Sequence, residues 1–208
     1  MMRVSGGMSR GQDWCAAEQG IARMGQMLVM LRETRPEDVP LFFEHQSDPE
    51  GMWMVGSVRA NHLDRDAFIA RWDGILANDK LIKRAIVLTD PSSGNEIVVG
   101  SINCFERVPD PARPCTIFPG PEIGYWLGRE YRGKGIASEA VRQFVAEVPR
   151  RPLYARAASD NVASLRVLQK AGFREIGREM FFANMRGPDG KGEQIEETLM
   201  ALEQAARP

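Results

Sequence analysis

Residues 132–137, Arg132-Gly133-Lys134-Gly135-Ile136-Ala137, sit between an apolar strand-like run, Glu122–Leu127, and an amphipathic helical stretch that opens at Ile136. A strand that ends in a tight glycine turn and continues as a helix leaves the first helical amides without partners. The start of a helix also carries about half a positive charge. With Arg132 and Lys134 beside those amides, the turn is an anion site, and the pyrophosphate of a coenzyme is the anion that fits it. Two other phosphate ligands fit less well. Gly128 to Gly135 matches the Gly-x-x-x-x-Gly-Lys pattern of a P-loop, but Gly135 stands where a Ser or Thr must hold magnesium. As a dinucleotide fingerprint, Gly133-x-Gly135 is followed by Ser138 in the third position, and residues 151–156 offer no carboxylate for a ribose.

A second cluster lies downstream, where Asn161 and Ser164 open a helical stretch that ends at Gly172-Phe173. The turn (Arg132, Gly135 and Ala137 in an Arg/Gln-x-x-Gly-x-Gly/Ala pattern), the preceding EIGYWLGREYRGKGIASEA and this downstream run together resemble the GNAT superfamily of N-acetyltransferases. Within it they are similar to the ribosomal-protein-alanine N-acetyltransferase (RimJ/RimL-type) branch. The resemblance spans residues 27–202 and is specific over 122–177. It implies an α+β fold, a mixed sheet of about seven strands flanked by about four helices. It also implies acetyl-CoA as co-substrate and transfer of its acetyl group to a primary amine, on a small molecule or a peptide N-terminus.

That chemistry sets requirements. An alkyl ammonium has a pKa of about 10, so a base must take its proton near pH 7. The oxyanion formed at the thioester carbon needs donors, and the departing thiolate benefits from a proton. Glu122, opening the key strand, is the candidate base. By resemblance, the backbone of Trp126, Leu127 and Gly128 would pair with the pantetheine arm. The amides of Gly133, Gly135, Ile136 and Ala137 would hold the pyrophosphate, with Arg132 and Lys134 assisting. Relatives often carry a tyrosine seven residues after Asn161; here that position is Leu168, which leaves Ser164 as the candidate donor to sulfur. Asn161 reads as a helix N-cap and a coenzyme contact at once. Trp53 and Tyr125 are candidates for the acceptor pocket, whereas Trp72, on an apolar helical stripe, and His45 read as structural. Transfer is expected to be direct, since Cys104 and Cys115 have no paired histidine. A non-catalytic acyl-CoA-binding module on the same fold is the alternative, needing the turn but neither Glu122 nor Ser164.

The elements that must position these residues follow from patterning. Residues 27–32 read as a first strand. Thr34 with Glu37 reads as a capping box around Pro36, opening a helix with Val39, Phe42 and Phe43 on its apolar face. Asp48-Pro49 and Gly51 read as breakers, followed by an irregular linker. Asp64 caps a helix carrying Phe68, Ile69, Trp72, Ile75 and Leu76 at helical spacing. Strands follow at 85–88 and 96–105, with a bulge expected at Gly100. Five prolines in residues 107–121 make a loop that borders the key strand. After the helix from Ile136 come a strand at 153–157, a helix over 162–170 closed by Gly172, and strands at 173–185 and 194–202.

The 208 residues suit one domain, expected over 27–208, with residues 1–26 a flexible, Gly-rich extension. A net charge of −1 argues against a broad nucleic-acid surface. Three cysteines without CxxC spacing and two histidines in unrelated contexts suggest no metal site. No long apolar run or leader is read, so a cytoplasmic protein with no membrane partner is expected, as a monomer or homodimer.

Overall fold

The computed structural model describes residues 27–55, 63–109, 115–183 and 192–203. The expected extension, 1–26, lies outside them, as does the side chain of Trp53. Seven strands form one mixed sheet in the order β1-β2-β3-β4-β5-β7-β6. They are β1 (Leu28–Glu33), β2 (Ile82–Thr89), β3 (Glu96–Phe105), β4 (Glu122–Leu127), β5 (Leu153–Ala158), β6 (Arg174–Ala183) and β7 (Glu193–Leu202). All neighbours are antiparallel except β4 and β5. The α-helices are α1 (Val39–Gln46), α2 (Pro49–Val55), α3 (Arg65–Leu76), α4 (Ile136–Glu147) and α5 (Val162–Lys170).

Alternation along the strands sorts side chains onto two faces. One face carries Ile102, Ile123, Leu127, Leu153, Ala155 and Met200 against α4 and α5. The helical spacing of Ile136, Ala140, Val141, Phe144 and Val145 puts all five on the buried side of α4. Each large side chain so buried contributes about 1.5–3 kcal/mol. The other face carries Ala85 and Val87 beneath α1 and α3, where Val39, Phe42, Phe68 and Trp72 form a smaller core. Trp72 is thus packing, as its stripe implied.

Three local readings change. Thr34 caps nothing: its Oγ1 is buried without a hydrogen-bond partner among the described residues. The chain instead makes a 3₁₀ turn over Pro36–Asp38, and Asp38 accepts from the Arg35 amide at 2.8 Å and from both Arg32 terminal nitrogens at 2.7 and 2.8 Å. The segment after Asp48 is helical, which raises the helix count from about four to five. Asp48 Oδ2 accepts from the Gly51 amide at 2.9 Å. Asp followed by Pro, read as a breaker, is equally a helix start. The bulge falls at Val99, not Gly100: Ile86 faces Gly100 and Val87 faces Val98, leaving Val99 between them. Gly100 is required for another reason, since a Cβ there would lie 2.1 Å from the Trp126 carbonyl oxygen.

Candidate active site

β4 and β5 touch at one rung only. Glu122 is opposite Tyr154, and the Tyr154 amide donates to the Pro121 carbonyl at 2.9 Å. Beyond that rung the two parallel strands part. β4 remains fully paired to β3 on its other edge, so its edge toward β5 presents backbone groups without a strand partner, which must find another. A cavity of about 640 Å³ occupies the gap. Its walls come from β4, β5, the glycine turn, the start of α4 and the flank of α5.

The turn forms one end. Gly133 and Gly135 have φ of 74° and 81°, the left-handed region where a side chain is strained. Gly135 is the N-cap of α4 and supplies no capping side chain. Gly133, Gly135, Ile136, Ala137 and Ser138 line the cavity, so an uncapped helix start faces it. Lys134 is not among the lining residues. Arg132 lines the wall, but its guanidinium turns back, meeting Asp48 Oδ2 at 3.0 Å and the Leu127 carbonyl at 3.2 Å. It ties the turn to the start of α2. Gly128, expected as a backbone contact, spends its amide on the Val99 carbonyl at 2.9 Å. The carbonyl of the bulged residue thus fixes where β4 stops. Trp126 donates its indole N–H to the His45 carbonyl at 2.9 Å. Its backbone, expected to meet the pantetheine arm, faces β3 instead, where its carbonyl lies against Gly100, so Leu127 is the expected position whose backbone turns toward the gap. Burial lowers the pKa of His45, whose Nδ1 is buried without a partner among the described residues.

At the middle of the gap, Asn161 caps α5, its Oδ1 accepting from the Ser164 amide at 3.1 Å, and both residues line the cavity. Ser164 Oγ lies 2.7 Å from Tyr125 Oη. Burial pushes the Tyr125 phenol up to about 12, partly offset by its bond to Ser164. Tyr125 therefore stands with Ser164 on the helix-bearing face of the sheet. Leu168 is core.

The far end is a charge cluster. Glu122 is 2% exposed, and each of its oxygens meets both Arg107 and Arg156. Arg107 donates at 2.7 and 3.1 Å and Arg156 at 3.2 and 3.3 Å. Both lone pairs of each oxygen are thus engaged by guanidinium donors. Arg156 also donates to Glu179 at 2.6 Å and to the Thr116 carbonyl at 2.7 Å, and it covers the Phe118 ring at 4.9 Å. Phe118 stacks on Tyr154 with centroids 4.4 Å apart. Part of the proline-rich segment therefore forms one wall of this cluster. Glu197, on β7, completes it at 3.7 Å from Arg156.

Arg107, Arg156 and Glu197 escape sequence reading because they come from separate segments without a motif. One signal existed: a lone arginine in the otherwise apolar β5, LYARAA, which needs a buried partner. Among the described residues, no three His, Cys, Asp or Glu side chains form a group able to hold a metal ion. A second cavity of about 560 Å³ lies away from the gap, between α1 and residues 129–131.

Residues 29–174 match the family model described as an acetyltransferase (GNAT) domain. A probable N-acetyltransferase of Bacillus subtilis is 32% identical over 90 residues, 41% of this chain and 46% of that protein. The chain thus matches about half the length of that curated relative. Among solved structures, spermidine N-acetyltransferase from Vibrio cholerae, in complex with CoA and spermine, is 16% identical with a TM-score of 0.62, over 86% of this chain and 96% of that one. Ribosomal-protein-S5-alanine acetyltransferase from Vibrio fischeri is also 16% identical with a TM-score of 0.60, over 84% and 92%. At such identity these two carry the fold alone. The family match covers most of the sheet together with the turn and both site helices: the chain belongs to the GNAT acetyltransferase domain family.

Proposed function

We propose that this protein is an acetyl-CoA-dependent N-acetyltransferase that acts on primary amines by direct transfer through a tetrahedral intermediate. The observation that carries the reading is the single cavity in the β4–β5 gap, which joins the uncapped start of α4 to the charge cluster around Glu122. The residues present fit acetyl-CoA. The amides from Gly133 to Ser138 would take the pyrophosphate. The unpaired edge of β4 at Tyr125 and Leu127 would pair with the pantetheine arm, and a main-chain N–H there would polarise the thioester carbonyl. Ser164, with Tyr125 behind it, would face the sulfur. A covalent acyl-enzyme is disfavoured, because burial pushes the Cys104 thiol up to about 11, away from a nucleophilic thiolate.

The acceptor is a primary amine on a small molecule or at a peptide N-terminus. Similarity in fold to a ribosomal-protein acetyltransferase supports the RimJ/RimL-type reading; similarity to a spermidine acetyltransferase supports a cationic small molecule. The test is coenzyme A release from acetyl-CoA with a polyamine, an aminoglycoside, and alanine- and serine-initiated pentapeptides. Turnover of at least one acceptor is expected. Tight acetyl-CoA binding with turnover of none would overturn the reading in favour of an acyl-CoA-binding module.

A further inference from the structure

The charge cluster contains a carboxylate that its neighbours do not satisfy. Glu197 is 5% exposed, and among the described residues its Oε2 has no hydrogen-bond partner. It lines the same cavity as the turn and Ser164. Arg156 on β5 is 3.7 Å away, too far and too committed elsewhere to hydrogen-bond it. Glu179, its rung partner on β6, spends one oxygen on Arg156 and the other on Thr116. Arg107 and Glu122 are bound to each other. Three carboxylates therefore share two guanidiniums, and the one left over faces the cavity. A buried acceptor without a donor is costly to keep, and an ammonium entering the cavity would supply the missing donor.

We propose that Glu197, not Glu122, binds the acceptor ammonium and takes its proton. This rests on the acetyl-transfer reading above. The ammonium gives one proton to Glu197 Oε2, leaving a neutral amine. The amine lone pair forms the C–N bond at the thioester carbon while the carbonyl π pair moves to oxygen. That pair then returns, and the C–S bond breaks with its electrons on sulfur. The nitrogen loses its second proton, the departing thiolate is protonated, and Glu197 passes its proton to solvent. Burial raises the proton affinity of Glu197 above that of an ordinary carboxylate, with Arg156 acting against the rise. That direction suits a base working near neutral pH. Glu122, held by four charge-assisted bonds, serves instead to fix Arg107 and Arg156.

The test compares wild type with Glu197→Gln, using whichever panel acceptor turns over fastest. Loss of a general base is expected to lower kcat/KM by roughly 100-fold near neutral pH. The deficit should shrink as pH rises and the amine loses its proton unaided. Acetyl-CoA affinity by calorimetry should not change, and Glu197→Asp should recover part of the rate. A Glu197→Gln enzyme with the wild-type pH profile would overturn the assignment and leave acetyl transfer standing. So would a deficit constant with pH, the mark of a purely structural role. Wild-type protein inactive on the whole panel would overturn acetyl transfer, and this assignment with it. If the Gln variant does not fold, Glu197→Ala, which also lacks the carboxylate, decides: a wild-type pH profile in it counts against the proposal.

Discussion

Tyr125 and Ser164 show how a single contact alters a role read from sequence. From sequence, Ser164 is the candidate donor to sulfur, in place of the tyrosine that relatives carry where this chain has Leu168. The structure gives it a partner from β4, 39 residues away, with the two hydroxyls 2.7 Å apart. A phenol raised to about 12 is a poor proton source by itself. As a donor to Ser164 Oγ it would instead orient the serine hydroxyl toward the gap. Tyr125→Phe is therefore expected to slow turnover nearly as much as Ser164→Ala, about 10-fold for loss of a positioning hydrogen bond. The double variant should be little worse than either single, because the pair acts as one unit. Steady-state kinetics of the cycle checks this; additive losses would mean independent roles. Neither variant should change acetyl-CoA affinity greatly, and a large loss would make Ser164 a binding residue.

Elements were mostly legible because their signals are local. The stripe of α4, the Asp64 and Asn161 caps and the left-handed Gly172 all appear where residue type demands. Misreadings arose where one residue type has two meanings. Asp48-Pro49 can stop one helix or start the next, and here it starts α2, whose Asp48 then clamps Arg132. That clamp explains why Arg132 turns its guanidinium back and leaves the turn's amides facing the cavity. Its geometry rests on Gly135, at φ 81°. A Cβ there would meet no atom within 4 Å, so the cost of Gly135→Ala is conformational, not steric. The left-handed conformation costs a non-glycine residue about 1–2 kcal/mol, so urea denaturation should show a loss of about that size. Acetyl-CoA affinity should fall as well, because relief of the strain rotates the amides at the start of α4. Unchanged affinity in calorimetry would mean that those amides do not hold the pyrophosphate.

At the scale of the whole molecule, the turn could be read from sequence but the acceptor end could not. Glu122 was singled out by its place at the head of β4; what surrounds it was invisible, because Arg107, Arg156, Glu179 and Glu197 meet only when four separate segments converge. Buried titratable groups, in that cluster and outside it, set how stability depends on pH. Burial opposes ionisation of Asp38, but two bonds from Arg32 and one from the Arg35 amide win, leaving its pKa below the ordinary value. Its contribution is present above the unfolded carboxylate pKa and is lost as pH falls through the depressed folded value. His45, lowered by burial, behaves alike: its contribution holds above the unfolded histidine pKa and is lost as acid charges the ring. Glu197 has the opposite sign. Its raised pKa favours the fold while the proton is bound, and that advantage is lost as pH rises through the folded value. Glu197→Gln removes the titration without removing the shape. Thermal melts followed by circular dichroism should therefore find the variant more stable than wild type at about pH 8, with the gap closing toward about pH 4, near the ordinary carboxylate pKa. A gain of about 1 kcal/mol would raise the melting temperature by about 2–4 °C in a chain of this length. A gap that does not change with pH would show that Glu197 is not the group that titrates. A stability gain joined to a loss of turnover is what is expected of a carboxylate kept buried for its chemistry at the expense of the fold.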